Sequence, residues 1–364
     1  MSPGVRRLGR VAALLFVAVL PKITFAEPYL AVQAGQPCYT CHVNPTGGGM
    51  RNAFGTVWGQ TTLPARTLTS TSAPWTGEFG QHVAIGADMR AAFSWLDQPE
   101  APSSSSFDLN SLRAYLNLRV IPGRLDLYVD QRLAPGTSSN AEAWLRLNSS
   151  DRRFYVKAGQ MYLPYGLRLQ DDGAFIRERT NINFNTPDRG IEAGYAGARW
   201  NAQLAVSNGT AGGAEVDEGK QWSLRAEYVQ PRWRAGASFN LNDFDEGTRR
   251  MQGVFVGLRT GPVAWLAEVD AIDDSTGSPS VDQWAGLIEA NWMVRKGHNI
   301  KLTAERYDPD RDAAGDRLTR LSLLWEYTPI PFLQLRAGVR QYDDDAENPS
   351  QNQRMVFLQL HGFL

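Results

Sequence analysis

The sequence predicts an all-β fold, a transmembrane barrel of about sixteen antiparallel strands of the outer-membrane type, preceded by a short N-terminal segment. Two patterns point to the barrel. From Glu78 onward the chain falls into segments of about ten residues in which polar and apolar side chains alternate, giving each strand one wet and one dry face. Tight turns also alternate with longer polar loops, an asymmetry that a closed barrel has between its two rims and a soluble sandwich lacks. A third observation sets the N-terminal segment apart. Cys38-Tyr39-Thr40-Cys41-His42 has the C-x-x-C-H spacing that attaches c-type haem.

Composition narrows the function classes. The chain has 364 residues and a formal net charge of −1, so charge gives no case for a nucleic-acid partner. Its 34 glycines and 10% aromatic content suit a many-turned β protein. Residues 1–26 read as a signal peptide: Arg6, Arg7 and Arg10 precede an apolar run over 11–20, and Ala26 offers the small residue at the cleavage site. That run is shorter than the roughly 18 apolar residues of a spanning helix, so any membrane embedding is expected to use strands.

Residues 27–62 form the expected haem-binding segment. Two thiols on one turn can add to the two vinyl groups of a haem, and His42 then presents its imidazole to the iron from the same side as the proximal ligand. The chain has only these 2 cysteines. The other reading of the pair is a disulfide staple or a redox dithiol. The turn Val43-Asn44-Pro45-Thr46-Gly47-Gly48-Gly49 lets the backbone pass close to a flat cofactor. Residues 50–60 read as a short helix with Met50, Phe54, Val57 and Trp58 on one face, either covering the haem or packing against a wall. Residues 63–77, rich in Thr, Ser and Pro, read as a linker. So short a segment is too small for a core of its own and is expected to complete its pocket against the barrel, as a plug.

Residues 78–364 are the expected barrel. Leu112, Ala114, Leu116, Leu118 and Val120 take one face of a strand, and Arg113, Tyr115, Asn117 and Arg119 the other. Ile300, Leu302 and Ala304 likewise alternate with Lys301, Thr303 and Glu305. Tight turns fall at Pro122-Gly123, Trp200-Asn201, Pro231-Arg232, Gly261-Pro262, Lys296-Gly297 and residues 329–331. Longer loops are expected over 97–106, 208–219, 242–247, 273–279, 308–316 and 343–352. Trp200, Trp233 and Trp292 sit by the short turns, and Trp95, Trp222 and Trp284 toward the long loops, as girdle residues do. The longest connection, 163–189, is expected to fold inward as a constriction.

A second axial ligand has few sources. Met50 is near in sequence, and the glycine turn can reverse the chain across the haem. His82 and His361 share the phase of inward polar residues; as the start of the first strand and the end of the last, they are expected to meet at the short-turn rim. His298 lies in a tight turn with the wrong phase. The inward charges mix signs, Arg113, Arg119, Arg132, Arg146, Arg225 and Arg336 against Asp126, Asp130, Glu227, Glu268, Glu289 and Glu305, and read as a solvated and mutually paired pore lining.

An export signal, a single C-x-x-C-H at Cys38, Cys41 and His42, and then a barrel together resemble the outer-membrane monohaem cytochrome–porin fusions of iron-oxidising bacteria. The resemblance implies a haem segment that plugs or caps a barrel in outer-membrane lipid. It also implies that electrons pass between an extracellular donor such as Fe(II) and a periplasmic carrier such as a soluble cytochrome c. Two other readings stand beside it. Pro164-Tyr165-Gly166 looks like a loop of anion-selective porins, which suits a channel with an N-terminal plug. The barrel could also serve separate multihaem cytochromes as a structural partner. Homo-oligomers of the porin kind fit each reading.

Overall fold

A computed structural model describes residues 27–68, 74–99, 101–215, 217–277, 279–344 and 352–364. The signal-peptide expectation and much of the 343–352 loop lie outside the described residues. Sixteen long strands make the wall. The first five are β1 (Val83–Gln98), β2 (Ala101–Ile121), β3 (Leu125–Ala134), β4 (Ser139–Asn148) and β5 (Phe154–Met161). Then come β6 (Asp188–Ala196), β7 (Trp200–Ser207), β8 (Gln221–Val229), β9 (Trp233–Phe244), β10 (Gly247–Thr260) and β11 (Val263–Asp274). The last are β12 (Val281–Arg295), β13 (His298–Asp308), β14 (Leu318–Ile330), β15 (Leu333–Asp344) and β16 (Gln353–Phe363). Each pairs antiparallel with the next, and β16 closes on β1, so the sheet has no free edge. A two-residue strand, Glu78–Phe79, pairs with the foot of β1 and stands outside that count. Among the described residues no helix is long and apolar enough to cross a membrane.

The period of two sorts the side chains as the alternation predicts. Leu204, Leu224, Val254, Val256, Leu302, Leu321, Leu323 and Leu358 point outward and are exposed, a continuous apolar band. Arg113, Tyr115, Asp126, Asp130, Arg225, Glu227, Lys301 and Glu305 point inward. These inward groups are paired. Arg113 meets Asp130 at 3.0 Å, Arg146 meets Asp126 at 2.9 Å, Arg225 meets Glu227 at 3.1 Å and Arg336 meets Glu326 at 3.1 Å.

An open barrel of this size would leave its inward face in water. Here Lys157, Glu192, Asn240, Asp270 and Asn291 are fully buried. Two pieces of the chain cover them. The N-terminal segment enters from the short-turn rim with α1 (Pro28–Ala34) and α2 (Ala53–Thr61). The connection between β5 and β6 folds inward, as expected, and carries α3 (Phe175–Glu178). One apolar cluster joins them to the wall: Tyr29, Leu30, Val32 and Trp58 from the plug, Leu167, Phe175 and Ile176 from the loop, and Phe255, Leu266 and Leu287 from β10, β11 and β12.

Several expectations need correction. Residues 97–98 and 101–106 are strand, not loop: they are the ends of β1 and β2, with Leu96 opposite Ser104 and Ser94 hydroxyl-bonded to Ser106 at 3.1 Å. A hairpin wet on both faces needs no apolar alternation, so its serines look like loop. Residues 242–244 likewise belong to β9. The expected helix begins later, at Ala53, and its buried face is Gly55, Thr56, Trp58 and Gly59, whereas Phe54 is 45% exposed. The start of the expected linker is fixed: Ala65 N donates to Thr328 O at 2.8 Å and Arg66 N to Pro329 O at 3.1 Å.

The buried pair Lys157–Glu192, 3.1 Å apart with neither side chain exposed, tests the filled lumen. Lys157→Ala leaves a carboxylate buried without its cation and is expected to cost about 3–5 kcal/mol. The assembled protein should lose its heat-resistant folded band at a lower temperature, and Glu192→Ala in the same chain should recover part of the loss.

Candidate functional site

The site is built from the plug outward. α1 starts at a proline and ends at Gly35, whose φ of 62° is left-handed and whose missing side chain lets the turn lie on Pro231, where a Cβ would stand 2.6 Å from the carbonyl oxygen. The chain then makes a single 3₁₀ turn, Cys38–Thr40, in which Cys41 N and His42 N each donate to Cys38 O at 3.2 Å. Both cysteines and the histidine therefore sit on one turn. Cys41 and His42 are buried and Cys38 is half-buried, with Arg234 Nη1 at 3.9 Å from its sulfur.

Asn52 holds that turn in place. Its Oδ1 accepts from Gly55 N at 3.0 Å and caps α2, while its Nδ2 donates to the carbonyls of Tyr39, Thr40 and His42 at 3.2, 3.0 and 3.4 Å. Gly55 completes the contact, since a Cβ there would stand 2.3 Å from Cys41 O. Neither residue was singled out from the sequence. An asparagine just before a helix is a capping signal, and that signal was available.

The segment between folds as a tight hairpin. His42 bridges Arg51, and Val43 N donates to Met50 O at 3.0 Å. Gly47, Gly48 and Gly49 all have positive φ, and the turn they form reaches up to the inward loop, where Arg168 Nη1 donates to Gly47 O at 2.9 Å. Burial and the neighbouring Arg177 push the Arg168 guanidinium down to about 10. Asn44 Nδ2 donates to Glu142 at 2.8 Å and Arg146 Nη1 to Val43 O at 2.7 Å, tying the hairpin to the wall.

His42 faces a cavity of about 660 Å³ between the plug and the wall of β1, β2, β15 and β16. That is the size of a ligand pocket. Trp58, Tyr115 and Phe363 give it apolar surface, and Arg51, Arg90, Arg113, Arg336 and Arg340 stand in its lining among Glu27, Asp88, Asp108, Asp171 and Asp172, a mixed set of charges. Burial pushes the Arg51 guanidinium below its ordinary value, with Asp88 opposing. Burial alone would raise the Asp171 carboxyl at the cavity's edge, but Arg320 and Arg340 outweigh it and hold the group below its usual range. Two thiols and an imidazole on one turn are the donors that a covalently attached haem requires, and of the three it is His42 that lines the cavity.

The three candidate distal ligands go to different places. Met50 turns into the wall, in a cluster with Val43, Tyr115, Tyr128 and Trp144, and its N–H donates to Tyr128 Oη at 2.9 Å. Directly paired with Val43 in the hairpin, it stands beside the motif and not across a cofactor from it. His82 is exposed at the short-turn rim, its Nδ1 2.9 Å from Arg119 O, and it does not line the cavity. His361 does line it, buried, with Nε2 2.7 Å from Asp88 Oδ2 and Nδ1 3.2 Å from Gln334 Oε1. The two histidines do not meet as expected, because the strand stagger pairs His361 with Arg90, well up β1 from His82. His298 stacks on Tyr327 and Trp325, away from the lumen cavity.

Solved structures share this wall. A loop-deleted OmpT of Vibrio cholerae superposes with a TM-score of 0.62 at 12% identity, over 78% of this chain and 99% of that one. The fold is the porin fold. A trimer form of in-vitro folded OmpT of Vibrio cholerae matches at a TM-score of 0.59 and 12% identity, over 78% of this chain and 100% of that one. An anion-selective porin from Comamonas acidovorans matches at 0.61 and 10%, over 78% and 99%. No protein-family model matches the chain, and no curated protein matches it by sequence.

Two substitutions check this geometry. Asn52→Ala removes the cap and the clamp on the motif and is expected to cost about 1–2 kcal/mol in the thermal stability of the assembled protein. Met50→Leu conserves volume in an apolar cluster and is expected to stay within about 1.5 kcal/mol of the parent. A larger loss would give the Met50 sulfur a role beyond packing.

Proposed function

We propose that this chain is an outer-membrane electron-transfer protein, a porin-type barrel closed by its own N-terminal plug, which carries one haem c on Cys38, Cys41 and His42. One observation carries the reading: the C-x-x-C-H turn sits inside the lumen with His42 facing a ligand-sized cavity, while the rest of the inward wall is covered. A bound haem would supply one-electron chemistry between ferric and ferrous iron. The chain's own residues would do the holding. Cys38 and Cys41 would form the thioether links, His42 would be the proximal ligand, and His361 is the other histidine that lines the cavity. Gln334 at 3.2 Å from its Nδ1 and Asp88 at 2.7 Å from its Nε2 hold that ring at the cavity wall. The outward band would sit in lipid. An extracellular donor such as Fe(II) and a periplasmic carrier such as a soluble cytochrome c are the proposed partners. A homotrimer follows the example of OmpT.

The porin fold favours a second reading, a channel whose conductance the plug controls, with Cys38 and Cys41 as a dithiol. Purified protein separates the two. A c-type α-band in the reduced-minus-oxidised spectrum, lost in Cys38→Ala, is the expected result, and its absence removes the haem reading. In the haem-bearing protein, His361→Ala is expected to convert a low-spin spectrum to a high-spin one that binds carbon monoxide, whereas His82→Ala leaves the spectrum unchanged.

A further inference from the structure

Six arginines line the cavity, and five of them have an acceptor. Arg90 has Asp88 at 3.1 Å, Arg113 has Asp130 at 3.0 Å, Arg336 has Glu326 at 3.1 Å and Arg340 has Asp171 at 2.6 Å. Arg132 donates to Phe184 O at 2.8 Å. Arg51 is different. Among the described residues, no carboxylate stands within ion-pair distance of its guanidinium and no oxygen accepts a hydrogen bond from it. The acid that acts on it most strongly, Asp88, is already shared between Arg90 and His361.

What holds Arg51 is a ring. Its guanidinium carbon lies 4.5 Å from the centroid of Phe363, which is buried at the end of β16 and faces the lumen. Stacking occupies the face of a guanidinium and leaves its edge, where all five N–H donors point, unused. The guanidinium is half-buried and lines the cavity as the bridge partner of His42, so its donors are open to whatever occupies that space.

We propose that Arg51 is a carboxylate-binding residue, and that the carboxylate it takes is a propionate of the haem carried on Cys38 and Cys41. The inference rests on the haem reading. A planar fork of donors matches a carboxylate in two parallel hydrogen bonds. A haem tethered at the motif would bring two carboxylates close to Arg51, which bridges His42 and lines the same cavity. Phe363 is then a positioning residue that fixes the plane of the fork. Phe363 turns inward and is buried, while the next residue, Leu364, is exposed.

The test uses the full chain and reads haem content and midpoint potential together. Arg51→Gln is expected to keep one covalent haem per chain and to shift the potential downward, because an unpaired propionate favours the ferric state. Arg51→Lys should restore part of the shift. Phe363→Leu, which keeps the charge and removes the stacking surface, should move the potential the same way by less, and serves if Arg51→Gln does not assemble. Full haem content with the parent potential in both Arg51→Gln and Phe363→Leu overturns the assignment. So does a parent potential that moves with added inorganic phosphate while that of Arg51→Gln does not, which would make the occupant a mobile anion. A parent protein without haem removes the underlying reading as well, and is seen before any variant is measured.

Discussion

Charges that face the inside of a barrel must be either wet or paired, and the structure depends on how this chain pairs them. The plug adds partners to those the wall supplies. Tyr29 Oη donates to Glu326 at 2.9 Å, Lys301 meets Glu27 at 2.9 Å, and Arg234 Nη2 donates to Gln36 O at 2.7 Å. The inward loop does the same, with Leu167 N on Glu268 and Phe175 N on Glu305. Removing a partner from such a pair leaves a buried charge uncompensated, which costs more than the pair contributes when intact. The plug and the wall therefore specify each other.

The dependence runs both ways, because the plug has no core of its own. Residues 27–66 are too few to bury one. Their apolar side chains find it on the wall, where β10, β11 and β12 turn Phe255, Leu266 and Leu287 inward among polar neighbours. Gly257 on β10 leaves room for Val32, whose Cγ2 would stand 2.5 Å from a Cβ at that position. Apolar residues on the inward face of a porin-type strand mark the seat of something that fills the lumen. From that seat the chain runs through Gly35 into the motif, and Asn52 fixes the turn so that His42 faces the cavity.

Much of this was legible in the sequence. The alternation in β2 and β13 assigns each residue to its face, and the mixed charges at Arg113, Asp126 and Glu305 are paired as read, but buried under the plug and the inward loop where a solvated lining was expected. What escaped has physical reasons. The strand ends over 97–98 and 101–106 lie where both faces are wet, so the period that marks a strand is absent. The helix α1 is seven residues long, below the length at which an apolar stripe is visible, although its proline start and glycine end were signals. The buried face of α2 joins Trp58, which the apolar pattern marks, to Gly55, Thr56 and Gly59, which a count of apolar residues cannot find. The separation of His82 from His361 follows from the stagger of a closed barrel, and no single strand carries that information.

The central claim is that the plug occupies the lumen. Single-channel conductance in planar bilayers tests it most directly, comparing the full chain with one lacking residues 28–66. The account predicts that the intact protein shows no steady conductance of the size expected for an open sixteen-strand pore, and that the deletion opens one. An intact protein that conducts as freely as the deletion would contradict it, since the inward charges would then face water and the motif would lie outside the barrel.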